Sequence, residues 1–456
     1  MKRTRLILLI SILASTVAFM DGSIVNVALP AISHDFGGGL VIQQWVVDAY
    51  LVTLGALMLI AGSLADLFGR AKIMVIGLIW FGLASLLCAI APTSAFLIIA
   101  RALQGVAGAL LVPSSLALIM SAMPKQSRAK AIGTWTAWTG ISFLIGPAIG
   151  GILVDLGSWR WVFVLNVIPI GITLWLLARL KLQESRSSAK LDFVGAILCT
   201  VGLGDIVYAL IEQSRLGWTD PLIYSTFIVG IISLIAFVQY ERRVSEPMMP
   251  ISLFKHRNFT VGNLSTLTMY AALSMASFVI VIFVQQVGGY TATMAGLTLI
   301  PESIIMFFLA ARFGALADKY GPRVFMAVGQ LIVAAGFLEM LLVDESANYL
   351  VLLPGILLFG LGLAVTVAPL TSAVLSAISE QRSGIASAVN NAIARIAGLI
   401  AIAALGPIVG TAIGLDGFHN ALIIMAILMI IGGVVAAIGI KNPERVKPAI
   451  FPETLS

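Results

Sequence analysis

Four charged residues stand inside long apolar runs, where charge is costly: Asp21, Arg101, Glu302 and Arg395. An ionised side chain at mid-bilayer costs at least about 2.5 to 3.5 kcal/mol, so each should face a cavity or a partner. A carboxyl so placed can load and release a proton as its surroundings change, and a nearby arginine modulates that exchange. Counting along a helix, Asp21 lies roughly 22 Å from Leu6 and Glu302 roughly 24 Å from Asp318, a depth similar to that of Arg101. Such acids suit the coupling of proton flow to the movement of another solute. Asp48, Asp205 and Glu339 are weaker candidates, being shallow, outside the repeat described below, or near a run's end. Metal, cofactor and nucleophilic chemistry are not expected. His34, His256 and His419 are scattered, and Cys88 and Cys199 sit in apolar runs without ligand spacing.

The elements that must position these residues are membrane helices. The chain has 456 residues, 60% hydrophobic and 11% charged, whereas soluble domains carry roughly 25% charged residues. Fourteen apolar runs reach the length of about 20 residues that spans a bilayer. They are continuous instead of alternating with period two, which argues against a β-barrel. The opening Met1-Lys-Arg-Thr-Arg5 leads into a run holding Asp21 with no small-residue cleavage site, so it reads as a retained first span. Lysines and arginines fall almost entirely on the side of both termini, with Arg160 and Arg215 opposite, so both termini are expected in the cytoplasm. The net charge of +6 then follows from topology, and no nucleic-acid partner is required.

One polar signature occurs twice. Gly62-Ser-Leu-Ala-Asp66-Leu-Phe-Gly69-Arg70 returns as Gly314-Ala-Leu-Ala-Asp318-Lys-Tyr-Gly321-Pro-Arg323, and Pro113-Ser-Ser and Gln126-Ser-Arg128 have partners near Pro369 and Gln381-Arg382 at a similar offset. A duplicated transporter is the first reading. The expected plan is all-α: six spans in 1–182, a linker and two extra spans in 183–257, six more in 258–441, and a tail in 442–456. The stretches between runs reach only about 20 residues, too short for a soluble domain of roughly 50, and no Walker A motif occurs. ATP-driven transport within this chain is therefore disfavoured.

Physical roles follow for the motif residues. Asp66 stands where a span meets the cytoplasm and can pair with Arg70 or face the positive end of a neighbouring helix, while Gly62 and Gly69 permit close approach. Gly62, Asp66, Gly69, Arg70, Gly314, Asp318 and Arg323 are expected to form a conformational latch; the alternative is a folding and topology element. Gly146 and Gly150 lie on one helix face and Pro147 bends that helix, which favours a sliding contact between halves or, more blandly, ordinary small-residue packing. Aromatic and methionine side chains such as Met20, Trp45, Tyr50, Trp138, Tyr270 and Phe307 can line a greasy cavity or face lipid.

With these residues in view, the chain resembles the major facilitator superfamily, and within it the fourteen-helix drug:proton antiporters. The likeness extends over almost the whole chain. It is carried by Asp21-Gly-Ser-Ile-Val-Asn26-Val-Ala-Leu-Pro30, the duplicated loop motif, Arg101-Ala-Leu-Gln104-Gly105, and Gly146-Pro147-Ala-Ile-Gly150-Gly151. Further matches are Trp159-Arg-Trp-Val-Phe-Val-Leu-Asn166, Leu191-Asp-Phe-Val-Gly195, and Gln285 to Pro301. The resemblance implies the major facilitator fold, two six-helix halves plus two extra helices. It also implies a proton-coupling role for Asp21 and Arg101, the latter otherwise a fixed counter-ion. Glu302 follows the tenth-span proline at a position the family does not hold to one residue type, so it is expected to join proton coupling and set a preference for cations.

The expected function is a secondary transporter, not an enzyme: a proton-coupled antiporter exporting amphipathic, cationic drugs or toxic compounds across the cytoplasmic membrane. Asp21, Asn26, Tyr50, Trp138, Glu302 and Arg395 are expected to line the substrate cavity, with protons, small amphipathic molecules and membrane lipids as partners and a monomer as the working state. The rival on the same scaffold exports or flips a lipid or endogenous metabolite. A sensor or scaffold is disfavoured by the intact loop motifs and buried charges, and an importer by Gly146-Pro147-Ala-Ile-Gly150-Gly151.

Overall fold

Apolar runs of this length satisfy their backbone hydrogen bonds internally, so each becomes a helix. The computed structural model describes residues 2–180, 191–379 and 382–442. Its helices are α1 (Lys2–Phe36), α2 (Gly39–Phe68), α3 (Arg70–Ala89), α4 (Ser94–Ala122), α5 (Lys125–Leu156), α6 (Arg160–Val164), α7 (Val167–Ala178), α8 (Phe193–Leu216), α9 (Pro221–Glu241), α10 (Arg257–Gln286), α11 (Ala292–Thr298), α12 (Ile300–Tyr320), α13 (Pro322–Glu339), α14 (Tyr349–Ser376), α15 (Ser383–Ala403), α16 (Leu405–Val409) and α17 (Leu415–Gly439). Among the described residues there is no strand, and 14 spans are long and apolar enough to cross a membrane.

Two spans are broken. The sixth, Arg160–Ala178, is split into α6 and α7 around Leu165 and Asn166, and the tenth, Ala292–Tyr320, into α11 and α12 at Leu299, just before Pro301. Residues 181–190, which hold the expected first domain boundary, and the expected tail from 443 onward lie outside the described residues.

Helix packing repeats along the chain. α1 packs on α5 as α10 packs on α15, α2 on α4 as α12 on α14, and α3 on α4 as α13 on α14. The sequence repeat is thus also a repeat of contacts. Across the seam between the two sets, α5 meets α11 and α2 meets α15, a crossed arrangement expected of two related halves. The extra pair α8 and α9 pack on each other, and α8 lies against both α2 and α15. Trp45 of α2 donates its indole N–H to Glu212 of α8 at 2.9 Å, and Glu212 also pairs with Arg215 at 3.0 Å. The extra pair is therefore fastened to the end of the bundle away from the termini, here called the distal end.

The seam is asymmetric. Among the described residues, its hydrogen bonds lie toward the distal end: Gln44 to the carbonyls of Ile402 and Ala403 at 2.6 and 3.1 Å, Gln285 to that of Val27 at 3.3 Å, and Asp155 to the backbone N–H groups of Ala292 and Thr293 at 3.0 and 2.8 Å. At the other end the ties stay within one half. Arg70 reaches the carbonyl of Ala117, and Arg323 that of Ala437.

Candidate functional site

Asp21, near the middle of α1, is fully enclosed and holds three side-chain donors. Arg101 Nη1 meets Asp21 Oδ2 at 2.6 Å, while Gln104 Nε2 and Asn166 Nδ2 donate to Asp21 Oδ1 at 2.9 and 2.7 Å. Local geometry explains the convergence. Arg101 and Gln104 are one turn apart on α4, so they share a face, and the break before α7 aims Asn166 inward. Arg101 Nη1 also donates to Gln104 Oε1 at 2.6 Å, its Nε to the carbonyl of Val46 at 2.9 Å, and Gln104 Nε2 to Ser85 Oγ at 2.7 Å. The guanidinium stacks over the rings of Tyr50 and Phe163, 4.4 and 5.7 Å from their centres.

This cluster joins α1, α3, α4 and the sixth span of a single half. A buried ion pair is tolerated only when its remaining hydrogen-bonding capacity is also met. Here the amides and Ser85 supply most of that, although Asn166 Oδ1 has no partner. The arrangement can hold a carboxylate in the membrane interior and free Arg101 if that carboxylate takes up a proton. Gln104, Asn166 and Ser85 were not singled out as site residues from the sequence. The available signal was that amides in apolar spans, like charges, need partners.

The other expected site residues scatter. Glu302 opens α12 directly after Pro301, is buried, and accepts from its neighbour Ser303 at 2.8 Å; Gly360 of α14 presses against its backbone. It does not meet Asp21 or Arg101, because the tenth span turns it into the α12–α14 contact of the other half. Asn26 is buried with Oδ1 unpartnered. Tyr50 donates to the carbonyl of Ala18 at 3.2 Å. Trp138 departs from the cavity expectation. It is 52% exposed and shares an α5 stripe with exposed Ile145, Ile152 and Leu156, a lipid-type face. Asp48 is enclosed, and neither of its oxygens has a hydrogen-bond partner among the described residues.

Arg395 of α15 reaches out of its own half. Its guanidinium crosses the seam to lie over the Phe19 ring of α1, 5.1 Å from the centre. It makes no ion pair and no hydrogen bond among the described residues. Gly55 of α2 faces α15 here, and a Cβ there would make ordinary contact with Arg395 Cβ at 3.6 Å.

The glycine motif of α5 works on two faces. A Cβ at Gly146 or Gly150 would press on Ser23 or Ile24 of α1, both at 2.5 Å, and one at Gly151 would collide with the Ala292 carbonyl of α11. Pro147 lies on that second face, where its carbonyl packs against Gly296. The loop motifs are less alike than their sequences. Asp66 pairs with Arg70 at 2.8 Å, whereas Asp318 is exposed and makes no ion pair among the described residues. Gly69 and Gly321 have φ of 104° and 93°, the left-handed region that glycine enters freely, and so turn the chain between helices. Gly62 has nothing within 4 Å of a Cβ position, so the close approach expected there is not made in this conformation; Gly314 faces Ala368.

Comparison with known proteins accords with this geometry. The family model described as Major Facilitator Superfamily matches residues 11–402. The multidrug resistance protein Stp of Mycobacterium tuberculosis (strain CDC 1551 / Oshkosh) is 34% identical over 412 residues, 90% of this chain and 76% of that protein. The methylenomycin A resistance protein of Bacillus subtilis (strain 168) is 31% identical over 407 residues, 88% of this chain and 87% of that protein. A crystal structure of a D-xylose-proton symporter superposes with a TM-score of 0.71 at 15% identity, covering 96% of this chain and 98% of that one, which speaks for the fold alone. Taken with the repeated helix packing, the fourteen spans and the enclosed charges, these matches make the chain a multi-pass membrane transporter that belongs to the Major Facilitator Superfamily, among its drug-efflux members.

Proposed function

We propose that the protein exports amphipathic compounds across the cytoplasmic membrane in exchange for protons, with Asp21 as the proton-carrying acid and Arg101 as the partner that senses its charge. The observation that carries this reading is the enclosed Asp21–Arg101 pair at 2.6 Å, cradled by Gln104 and Asn166. Protonating Asp21 removes half of a buried ion pair, and leaving the other charge alone costs about 3 to 5 kcal/mol. That is enough to drive rearrangement of α1 against α4. The names of the relatives, multidrug and methylenomycin A resistance proteins, support efflux of drug-like compounds.

In this reading the termini are cytoplasmic, as the basic residues favour, the distal end faces outward, and the conformation is closed to the outside. The α5 glycines and Pro147 then form the sliding surface of that closure. The two loop motifs act as latches at the cytoplasmic end, and one chain is the working unit. A preference for cations would rest on Glu302, which among the described residues hydrogen-bonds Ser303 alone and is packed between α12 and α14. The proposal is therefore made for amphipathic compounds without that preference.

The test is transport in proteoliposomes under an imposed proton gradient, with a panel of lipophilic cations, neutral drugs, acids and labelled lipids. Gradient-driven movement that disappears in Asp21→Asn is expected. Movement indifferent both to the gradient and to that substitution would overturn the reading.

A further inference from the structure

We propose that Arg395 and the aromatic rings around it form a substrate subsite for amphipathic compounds carrying one negative charge, such as a carboxylate or sulfonate on an apolar body. The inference rests on the transporter reading above and adds the substrate's charge. Three observations carry it, beginning with pairing. Arginines inside a membrane-spanning bundle are expected to pair with an acid or with backbone carbonyls. Arg101 does both, with Asp21 and Val46. Among the described residues Arg395 does neither, so its planar fork of N–H donors, suited to bidentate capture of an oxyanion, has no partner there.

The second observation is place. Arg395 starts on α15 of one half and ends over Phe19 of the other, so its head lies in the seam between the halves. It is partly open, whereas Asp21, Arg101, Asp48 and Glu302 are buried. The charge accessible to a solute in that seam is therefore positive. Asp21 does not offset it, because its carboxylate is neutralised by Arg101 at 2.6 Å. A cation entering here meets repulsion, and an anion meets a cation whose attraction is little screened away from water.

The third is lining. Phe19 stacks edge-on against Trp135, ring centres 6.4 Å apart, and both rings are half-buried. These rings, contributed by α1 and α5, offer flat apolar surface beside the Arg395 cation. That combination selects for an anionic head on an apolar body.

The experiment uses the full chain in phosphatidylcholine nanodiscs with three matched fluorescent probes: pyrenebutyrate, its methyl ester and pyrenebutylamine. The parent protein should bind pyrenebutyrate at least about tenfold more tightly than the ester or the amine, the scale of one charge-assisted contact. Arg395→Gln should abolish that preference and leave ester binding within about twofold, while Arg395→Lys, which keeps the charge and loses the fork, should retain part of it. Equal affinities for acid and ester in the parent overturn the proposal without any variant, and so does a preference that survives in Arg395→Gln. Adding phosphatidylglycerol identifies the source of the anion. Arg395-dependent displacement of pyrenebutyrate assigns the subsite to a lipid headgroup, and no displacement assigns it to a free solute; either supports an anion subsite. If pyrenebutyrate binds in this Arg395-dependent way but no probe moves under a proton gradient, the transport reading fails and the subsite stands. If the amine moves and the acid is neither bound nor moved, the subsite fails and the transport reading stands.

Discussion

The Asp155 carboxylate at the end of α5 accepts the backbone N–H of Thr293 at 2.8 Å, while its other oxygen takes that of Ala292 at 3.0 Å. One side chain thus ties the two halves at their distal end through groups that would otherwise be unpaired at the start of α11. Charge-assisted bonds to backbone N–H groups contribute about 1.5 to 3 kcal/mol each when formed between charged and neutral partners. Asp155→Ala should therefore shift the population toward distal-open states by about tenfold or more. Spin-label distances between the distal ends of α5 and α11 would report it, and an unchanged distance distribution would remove Asp155 from the closure.

Asp21→Asn removes the charge opposite Arg101 while keeping the shape. The parent pair should be worth about 3 to 5 kcal/mol relative to a lone buried arginine. We expect a lowered melting temperature and no proton-driven export. Asp21→Asn combined with Arg101→Gln should recover much of the stability without restoring export. Thermal unfolding in detergent and transport in vesicles check the two halves of this prediction separately. Stability restored together with export would make the pair a purely structural element.

Glycines of the α5 motif and of the loop motif should differ sharply. Gly151→Ala drives a Cβ into the Ala292 carbonyl and 2.6 Å from Thr293 Cα, and backbone there has little freedom to yield. This substitution should separate α5 from α11 and depress export severalfold. Gly62→Ala meets nothing within 4 Å and should leave the present conformation undisturbed. Labelling of a cysteine placed on the distal seam would rise in Gly151→Ala alone; equal labelling in both variants would deny the motif its role in closure.

Asp66 and Asp318 provide a contrast between the two loop copies. Asp66 is paired with Arg70, both partly exposed, so the pair contributes only about 0 to 1 kcal/mol. Asp318 has no ion pair among the described residues to lose in this conformation. Asp66→Asn should therefore alter cysteine accessibility at the end opposite the distal one modestly, and Asp318→Asn less. If Asp318→Asn has the larger effect, its partner forms only in the opposite conformation, and the second copy is the active latch.

The chain order of apolar runs was sufficient to identify fourteen spans, because bilayer thickness acts on each run separately. The duplicated Gly62–Arg70 and Gly314–Arg323 signatures likewise marked a repeat, which the packing of α1 on α5 and α10 on α15 reproduces. Sequence also marked Asp21, Arg101, Glu302 and Arg395 as requiring an explanation, since charge in an apolar run is conspicuous wherever the run folds.

What each of those charges meets was decided by tertiary structure alone. In a helix apolar on nearly every side, the sequence does not fix which face turns toward lipid, and one residue's rotation redirects a side chain by about 100°. Hence Trp138, expected in the cavity, lies on the lipid-type face instead, Glu302 could not be known to lie against Gly360, and the break before α7 that brings Asn166 to Asp21 was not visible. Asp21, Arg101 and Asn166 are far apart in the chain and meet because three spans cross at one depth, whereas Arg395 on α15 lies over the ring of Phe19 and meets no acid among the described residues. Composition sets the number of buried charges; the rotational setting and crossing of the helices determine which are neutralised and which remain open to a ligand.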